Sequence, residues 1–398
     1  MADLSTAQRK KLTVFVAIVV MAVATLWRVN RRFSEREAAL SEGGTSVLRS
    51  GLERVAQAPS KLALTMRPGT PQERQLRHIN AHLVGQVDVL VIGQSDADHM
   101  SQTFFRNDVH FYNAFISNSY LGYQYEAFRD VVDAQSVPQL VLFDVRSGLI
   151  LVAGAEPRWE AVGDVWWAGA PYHQAHGPAP RWYKDIDSHL SLQQTEASFE
   201  ALRAQTRWAE QTRKNNMTLA PGDADPDTGG PFEVVLAHAV SSSHRWLFDG
   251  SRVYPNEHDA ILVPRGQDHV EEASGEREVN ESRIAALDDY LARIVATGTT
   301  VIMYSPPLQP RVFEDARQAP FVRASSARVR HVAEMHGVDY CDLSLDADAV
   351  GCVPGDFYDE LHISRHCNER VVRKLATGCA PRAGEKLRKL LSSRTLAN

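Results

Sequence analysis

Cysteine is scarce and confined. The chain has four, Cys341, Cys352, Cys367 and Cys379, all in its last sixty residues. No two form a C-x-x-C pair, which argues against a zinc site. An even, clustered set in an exported protein permits two disulfides in three connectivities; four small buried thiols are the alternative. Basic residues are also outnumbered: 43 Lys and Arg against 49 Asp and Glu leave a net charge of −6. That balance supplies no overall basic field to hold a nucleic-acid backbone, so nucleic acid is not expected as a partner. No internal repeat is present, which removes the solenoid architectures.

Long apolar runs are absent except for one. "LTVFVAIVVMAVATLW", Leu12 to Trp27, has no charge and is flanked by Arg9-Lys10-Lys11 and by Arg28, Arg31 and Arg32. As a helix it would rise about 24 Å, slightly short of a hydrocarbon core of roughly 30 Å. An uncleaved signal anchor is one reading, with Trp27 at the interface and arginines snorkelling. A cleaved signal peptide is the other, since Ala22-Val23-Ala24 has the small-x-small pattern. The apolar stretch runs on past that site, which favours the anchor. Either way the rest of the chain is sent to the membrane and across it.

Residues 1–30 are thus expected to be anchor or signal sequence, 31–80 a charged stalk leading into the domain, and 81–398 the domain itself. From Val87 short apolar runs alternate with longer amphipathic pieces. The runs are "VDVLVIG" (87–93), "HFYNAFI" (110–116), "PQLVLFDV" (138–145), "TTVIMYS" (299–305) and "VDYCDL" (338–343). Near-continuous hydrophobic strands spaced by helical segments indicate an α/β fold with a parallel sheet covered on both faces. Helices are expected over Tyr123 to Val132, along Ile284, Leu287, Leu291, Ile294 and Val295, and along Val322, Val329, Val332 and Met335, with Gly337 as a stop.

Between about 146 and 280 the rhythm is lost, marking a large insertion. It holds an amphipathic helix (about 189–213) and a loop, "APGDADPDTGG" (220–230). Asp223, Asp225 and Asp227 imitate a calcium loop, but the glycine is late and Val234 stands where the terminal glutamate belongs. The loop is read as a flexible connector. Trp166, Trp167 and Trp182 lie in an aromatic-rich stretch, which suits either a lid over a sugar-binding groove or a satellite core; the core is favoured. His173 and His176 there lack a third ligand, so no metal is expected, and no cofactor.

"VDVLVIGQSDADHM" raises the functional question, because a buried strand stops at Gly93-Gln94-Ser95 and polar chemistry begins. A serine nucleophile needs a base, exposure, and amide donors for the oxyanion. The carboxyl end of a parallel strand supplies the exposure; an ordinary helix N-cap is the competing role. "DFYDELHISRHCNERVVRKL" (356–375) offers the base. Asp359 and His362 stand three apart before an amphipathic helix, so the carboxylate can orient the imidazole and leave Nε2 free. A second D-x-x-H, Asp96 to His99, abuts Ser95 and points away from its attack face.

Gly93-Gln94-Ser95 after the first strand, with Asp359-x-x-His362 before the last helix, resembles the SGNH (GDSL-type) hydrolase superfamily. The resemblance implies a three-layer, flavodoxin-like sheet with Ser95 as nucleophile, His362 as base and Asp359 as its orienter. It implies Ser95 N–H as one oxyanion donor, with Asn118 the best second donor and Asn113 a tie for the loop. Gln94 departs from the family's usual aspartate or serine, and the Gly-x-Asn-Asp block is missing. "LFDGSRVYP" (247–255) and the N-terminal anchor resemble membrane-anchored SGNH-like proteins of bacterial envelope polysaccharide acylation. This implies a single-pass protein of the cytoplasmic membrane with its domain in the periplasm. The implied partners are an acylated glycan or acyl donor and a membrane-bound acyltransferase. Esterase and O-acyltransferase would use the same residues; a silent glycan-binding or scaffold protein is the alternative. A Cys352–Cys367 bridge would flank Asp359 and His362 and stiffen that loop.

Overall fold

The structure is a computed structural model that describes residues 20–21, 24–25, 28, 52–57, 62–64, 71–116, 121–134, 136–145, 220–224, 231–235, 245–253, 279, 281–310, 318–358 and 362–397. Two compact units divide the chain, one of Met1–Val47 with Pro157–Lys214 and one of Leu48–Glu156 with Asn215–Asn398. In the first, the described positions are helical and exposed, with Val20 and Met21 bare and the Thr25 hydroxyl donating to the Met21 carbonyl. Among the described residues no helix is long and apolar enough to cross a membrane. Most of Leu12 to Trp27, on which the anchor expectation rests, lies outside them.

In the second unit the five apolar runs become strands. They are β2 (Val89–Ile92), β3 (Phe111–Asn113), β4 (Leu140–Asp144), β9 (Thr300–Ser305) and β10 (Asp339–Asp342), paired parallel throughout. Their order across the sheet is β10-β9-β4-β2-β3. Numbered among themselves the strands run 2-1-3-4-5, a doubly wound order whose switch point falls between β2 and β4. All four residues of β2 and all five of β4 are buried, which explains why these runs are apolar without alternation.

Three helices, α2 (Leu121–Asp133), α3 (Glu281–Ala296) and α4 (Gln318–Met335), supply apolar faces to one side of the sheet. Phe128, Val131, Leu287, Leu291, Ile294, Val329 and Val332 pack there with Leu90, Ile92, Val141, Phe143, Val301 and Met303. Strand alternation turns Val89, Val91, Leu140, Leu142, Ile302 and Tyr304 to the other side. A one-turn helix, α5 (Ala347–Val350), follows β10. Helix α6 (Arg365–Lys374) brings the buried Val371 and Val372, and the turn after it brings Leu375. Cys341 of β10 is bonded to Cys379 at the end of that turn, pinning it beside the sheet. The helices agree with the expected periodicity, except that Met335 is exposed at the end of α4. Gly337 stops that helix with φ 65°, the left-handed conformation that only glycine adopts without strain.

A second, mixed sheet is built from β1 (Leu62–Leu64), β5 (Ala220–Ala224), β6 (Pro231–Val235), β7 (Arg245–Trp246) and β8 (Arg252–Val253). Its order is β5-β6-β1-β7-β8. The connector expected over 220–230 is therefore corrected: its first residues are a strand, pairing antiparallel with β6 across a bulge. Pro221 is tolerated because β5 is an edge strand, and Pro231 because it opens β6. The segment expected as a stalk reaches the core, since Leu52 and Val55 are buried and α1 (Pro71–Val84) buries Leu76 and Ile79. The amphipathic helix expected over 189–213 and the aromatics Trp166, Trp167 and Trp182 lie outside the described residues.

Candidate active site

Ser95 stands at the carboxyl end of β2, beside the switch point. Gly93 leaves the strand, Gln94 is extended (φ −101°, ψ −167°), and Ser95 to Ala97 form one 3-10 turn. The cap position of that turn is Gln94 and it carries no side-chain cap. Ser95 is not the N-cap; its hydroxyl goes elsewhere. Its Oγ lies 2.6 Å from Nε2 of His362, across 267 residues of sequence. Both side chains are half-buried, so the pair is reachable from solvent.

A short hairpin carries His362. Phe357 and Ile363 form an antiparallel bridge, and the Tyr358 N–H donates to the His362 carbonyl at 2.9 Å. Ser364 then caps α6 by accepting from the Cys367 N–H, and the Asp356 carbonyl accepts from the Ser364 N–H. Cys352 and Cys367 are disulfide-bonded, closing the loop that carries His362. The two bridges fit an oxidising compartment. A cross-link over 15 residues removes loop entropy equivalent to about 3 kcal/mol. Cys352→Ser with Cys367→Ser is therefore expected to destabilise the domain by roughly 2–4 kcal/mol. It should also slow any chemistry at Ser95 more than the equivalent change at Cys341 and Cys379. Urea titrations and serine-probe labelling of both double variants check this; equal labelling rates would contradict it.

The other D-x-x-H is elsewhere engaged. Asp96 and His99 are buried, His99 Nε2 lies 3.3 Å from the Asp98 carboxylate, and its ring packs 5.3 Å from Tyr358. His99 thus lies beneath the hairpin that carries His362, and it is His362 that lies against the Ser95 hydroxyl. Asn113 ties the loop, as expected of it: its amide donates to the carbonyls of Ala97 (2.6 Å) and Met100 (2.9 Å). Asp359 and Asn118 lie outside the described residues.

A buttress beneath the serine turn comes from "LFDGSRVYP". The Asp249 carboxylate accepts from Gln102 N–H (2.8 Å) and Ser251 N–H (2.9 Å). Gly250 adopts φ 81°, and a Cβ there would stand 2.1 Å from the Asn113 carbonyl, so only glycine fits. Arg252 donates its backbone N–H to the Asp98 carbonyl and its guanidinium to the Asp98 carboxylate, both side chains nearly inaccessible. Arg77 donates to the carbonyls of Asn113 and Gly250 and lies against the stacked rings of Phe115 and Trp246.

Charge is treated differently at two buried acids. Burial pushes the Asp98 carboxyl up, but Arg252, His99 and His362 together outweigh it, and the group ends below the usual range. Asp144, the last residue of β4, is fully buried, and burial outweighs the small help of the Gln94 backbone and holds it well above the usual range. Asp144 hides in the apolar run "PQLVLFDV", where its one signal is a lone acid at a strand's carboxyl end. Among the described residues no group of His, Cys, Asp or Glu could hold a metal.

Comparison with protein-family models, with curated proteins and with solved structures finds no match.

Proposed function

We propose that this protein is a serine acyl enzyme of SGNH type, an O-acyltransferase or esterase, with Ser95 as nucleophile. The observation that carries the reading is the 2.6 Å contact between Ser95 Oγ and His362 Nε2 at the carboxyl edge of a doubly wound sheet. His362 takes the hydroxyl proton as Oγ attacks the acyl carbonyl carbon. The tetrahedral oxyanion is met by the Ser95 N–H. As the ester bond breaks, the imidazolium returns the proton to the leaving alkoxide. Water or a sugar hydroxyl then gives its proton to Nε2 as it attacks the acyl carbonyl carbon, and the imidazolium returns that proton to Ser95 Oγ as the acyl–serine bond breaks. Asp359, three residues before the histidine, would hold the Nδ1 proton.

The substrate is inferred to be an acyl group of cell-envelope polysaccharide. Support is indirect: two disulfides suit an extracytoplasmic setting, and the apolar N-terminal stretch suits a membrane tether. The direct test is a serine-directed phosphonate applied to a soluble form lacking residues 1–30, with intact masses taken. One adduct is expected on the wild type and none on Ser95→Ala. A folded wild type without an adduct would transfer weight to a silent glycan-binding or scaffold role.

A further inference from the structure

We propose that Asn368 is a positioning residue that fixes the spacing between Ser95 and His362 by bonding the backbone one residue beyond each of them. The inference rests on the serine reading above. Asn368 is the fourth residue of α6 and is fully buried. Its side-chain amide donates to the Asp96 carbonyl at 3.2 Å, across 272 residues of sequence. The same nitrogen lies 3.4 Å from the Ile363 carbonyl and 3.3 Å from that of Ser364. All three partners are acceptors, so only the donor end of the amide can face them. Asp96 follows Ser95 in the 3-10 turn, and Ile363 follows His362 in the hairpin. One side chain therefore joins the segment of the nucleophile to the segment of the base. A second tie runs alongside, because Arg365 of the same helix donates to the hydroxyls of Ser101 (3.1 Å) and Thr103 (2.5 Å).

Helix stability alone is a poor account of an asparagine here. The Asn368 backbone N–H already makes the usual helical bond to the Ser364 carbonyl, at 2.9 Å. Asparagine is a weak helix former, and its Oδ1 is buried without a partner among the described residues. A leucine, three and four residues before the buried Val371 and Val372, would serve the helix better. What the amide adds is its reach to Asp96. A general base works only within about 2.6–3.2 Å of the atom it deprotonates, and Ser95 Oγ and His362 Nε2 stand 2.6 Å apart. Two segments so distant in sequence are held to that precision only by ties between them. The Asn368 amide is such a tie, made to main-chain atoms on both sides of the pair.

The experiment measures phosphonate labelling of the full-length chain carrying Asn368→Leu, alone and combined with His362→Ala, each checked for fold by circular dichroism and urea titration. Asn368→Leu is expected to label on the order of 10²-fold more slowly, the scale of a displaced reacting group. With an activated acyl ester the loss should fall on kcat and leave KM within a few-fold, because the tie places a reacting group and not the substrate. In the His362→Ala background the same substitution should cost no more than a few-fold, since no imidazole is left to align. Asn368→Ser, one bond shorter, can still donate to the carbonyl four residues back but loses the reach to residue 96. It should label as slowly as the leucine variant, and it takes that variant's place if leucine does not fold. Wild-type labelling by either folded variant would overturn the proposal, as would losses that multiply in the double variant or a loss carried by KM. A folded wild type that takes no probe would instead sink the serine reading itself, and this inference with it.

Discussion

Replacing His362 by alanine is expected to lower the turnover of an activated acyl ester by about 10²–10⁴-fold, the usual worth of a positioned general base. The Michaelis constant should change little, because the imidazole acts on a proton in flight and not on the resting substrate. The fold should hold. The side chain is half-buried, and the hairpin beneath it is kept by the Phe357–Ile363 bridge and by the Tyr358 N–H on the residue 362 carbonyl, neither of which uses the ring. Ser95→Ala should lose as much, and the double variant hardly more, since hydroxyl and imidazole act as one unit. Steady-state kinetics on the three variants tests this. Multiplying losses in the double variant would mean the two residues work separately. An unaffected His362→Ala would remove the histidine from the chemistry.

Arg252→Met is the substitution expected to cost the most stability, about 3–5 kcal/mol, the usual result of stranding one partner of a buried ion pair. Asp98 is left in an apolar site with its strongest counter-charge gone. The guanidinium also lies 5.3 Å from the ring of Phe115 and 5.5 Å from that of Trp246, and methionine replaces only part of that packing.

The sign of the pH dependence follows. In the wild type the Asp98 carboxyl sits below its unfolded value, so its contribution is present above that value, near 3.9, and is lost as pH falls through the folded one. In Arg252→Met the balance tips toward burial, so the carboxylate is penalised at neutral pH and relieved by protonation. The gap between variant and wild type should therefore be widest near neutrality and narrow as the pH drops toward 4. Urea titrations at the two pH values measure it. A gap that is the same at both would mean that packing, not charge, is what Arg252 supplies. Combining Arg252→Met with Asp98→Leu should recover most of the loss, since an apolar pair needs no counter-charge. Because Asp98 directly follows the serine turn, phosphonate labelling should fall in Arg252→Met and return in the double variant.

Much of the sheet was legible from the order of residues, and the reason is burial. Runs such as "LVLFD" and "VLVI" are apolar at every position but the last acid because parallel strands are covered on both faces. Helices α2 and α3 were legible because one face of each meets the sheet, so the 3.6-residue period survives in Leu287, Leu291 and Ile294. The period over-reached at Met335, where α4 has run past the sheet and its apolar side chain meets solvent. Strands β5 and β6 were hidden for the opposite reason. The proline, glycine and acid of β5 read as a loop, and pairing with β6, which in turn pairs with β1 far back along the chain, overrode local composition.

Sequence by itself determined the strand ends and hence where Ser95 would stand, because an apolar run can stop only where the chain meets a polar edge. It also marked two histidines with identical spacing to an acid, His99 and His362, between which that spacing alone gives no physical ground for choice. Position after the last strand favoured His362, and in the tertiary structure its Nε2 lies against the Ser95 hydroxyl, while His99 is buried beside Asp98 and Tyr358. The tertiary structure also brought Asp144 against Gly93 and Arg252 against Asp98. Distances among residues that lie 51 or 154 positions apart are set by strand order and packing, and no local period of the chain encodes them.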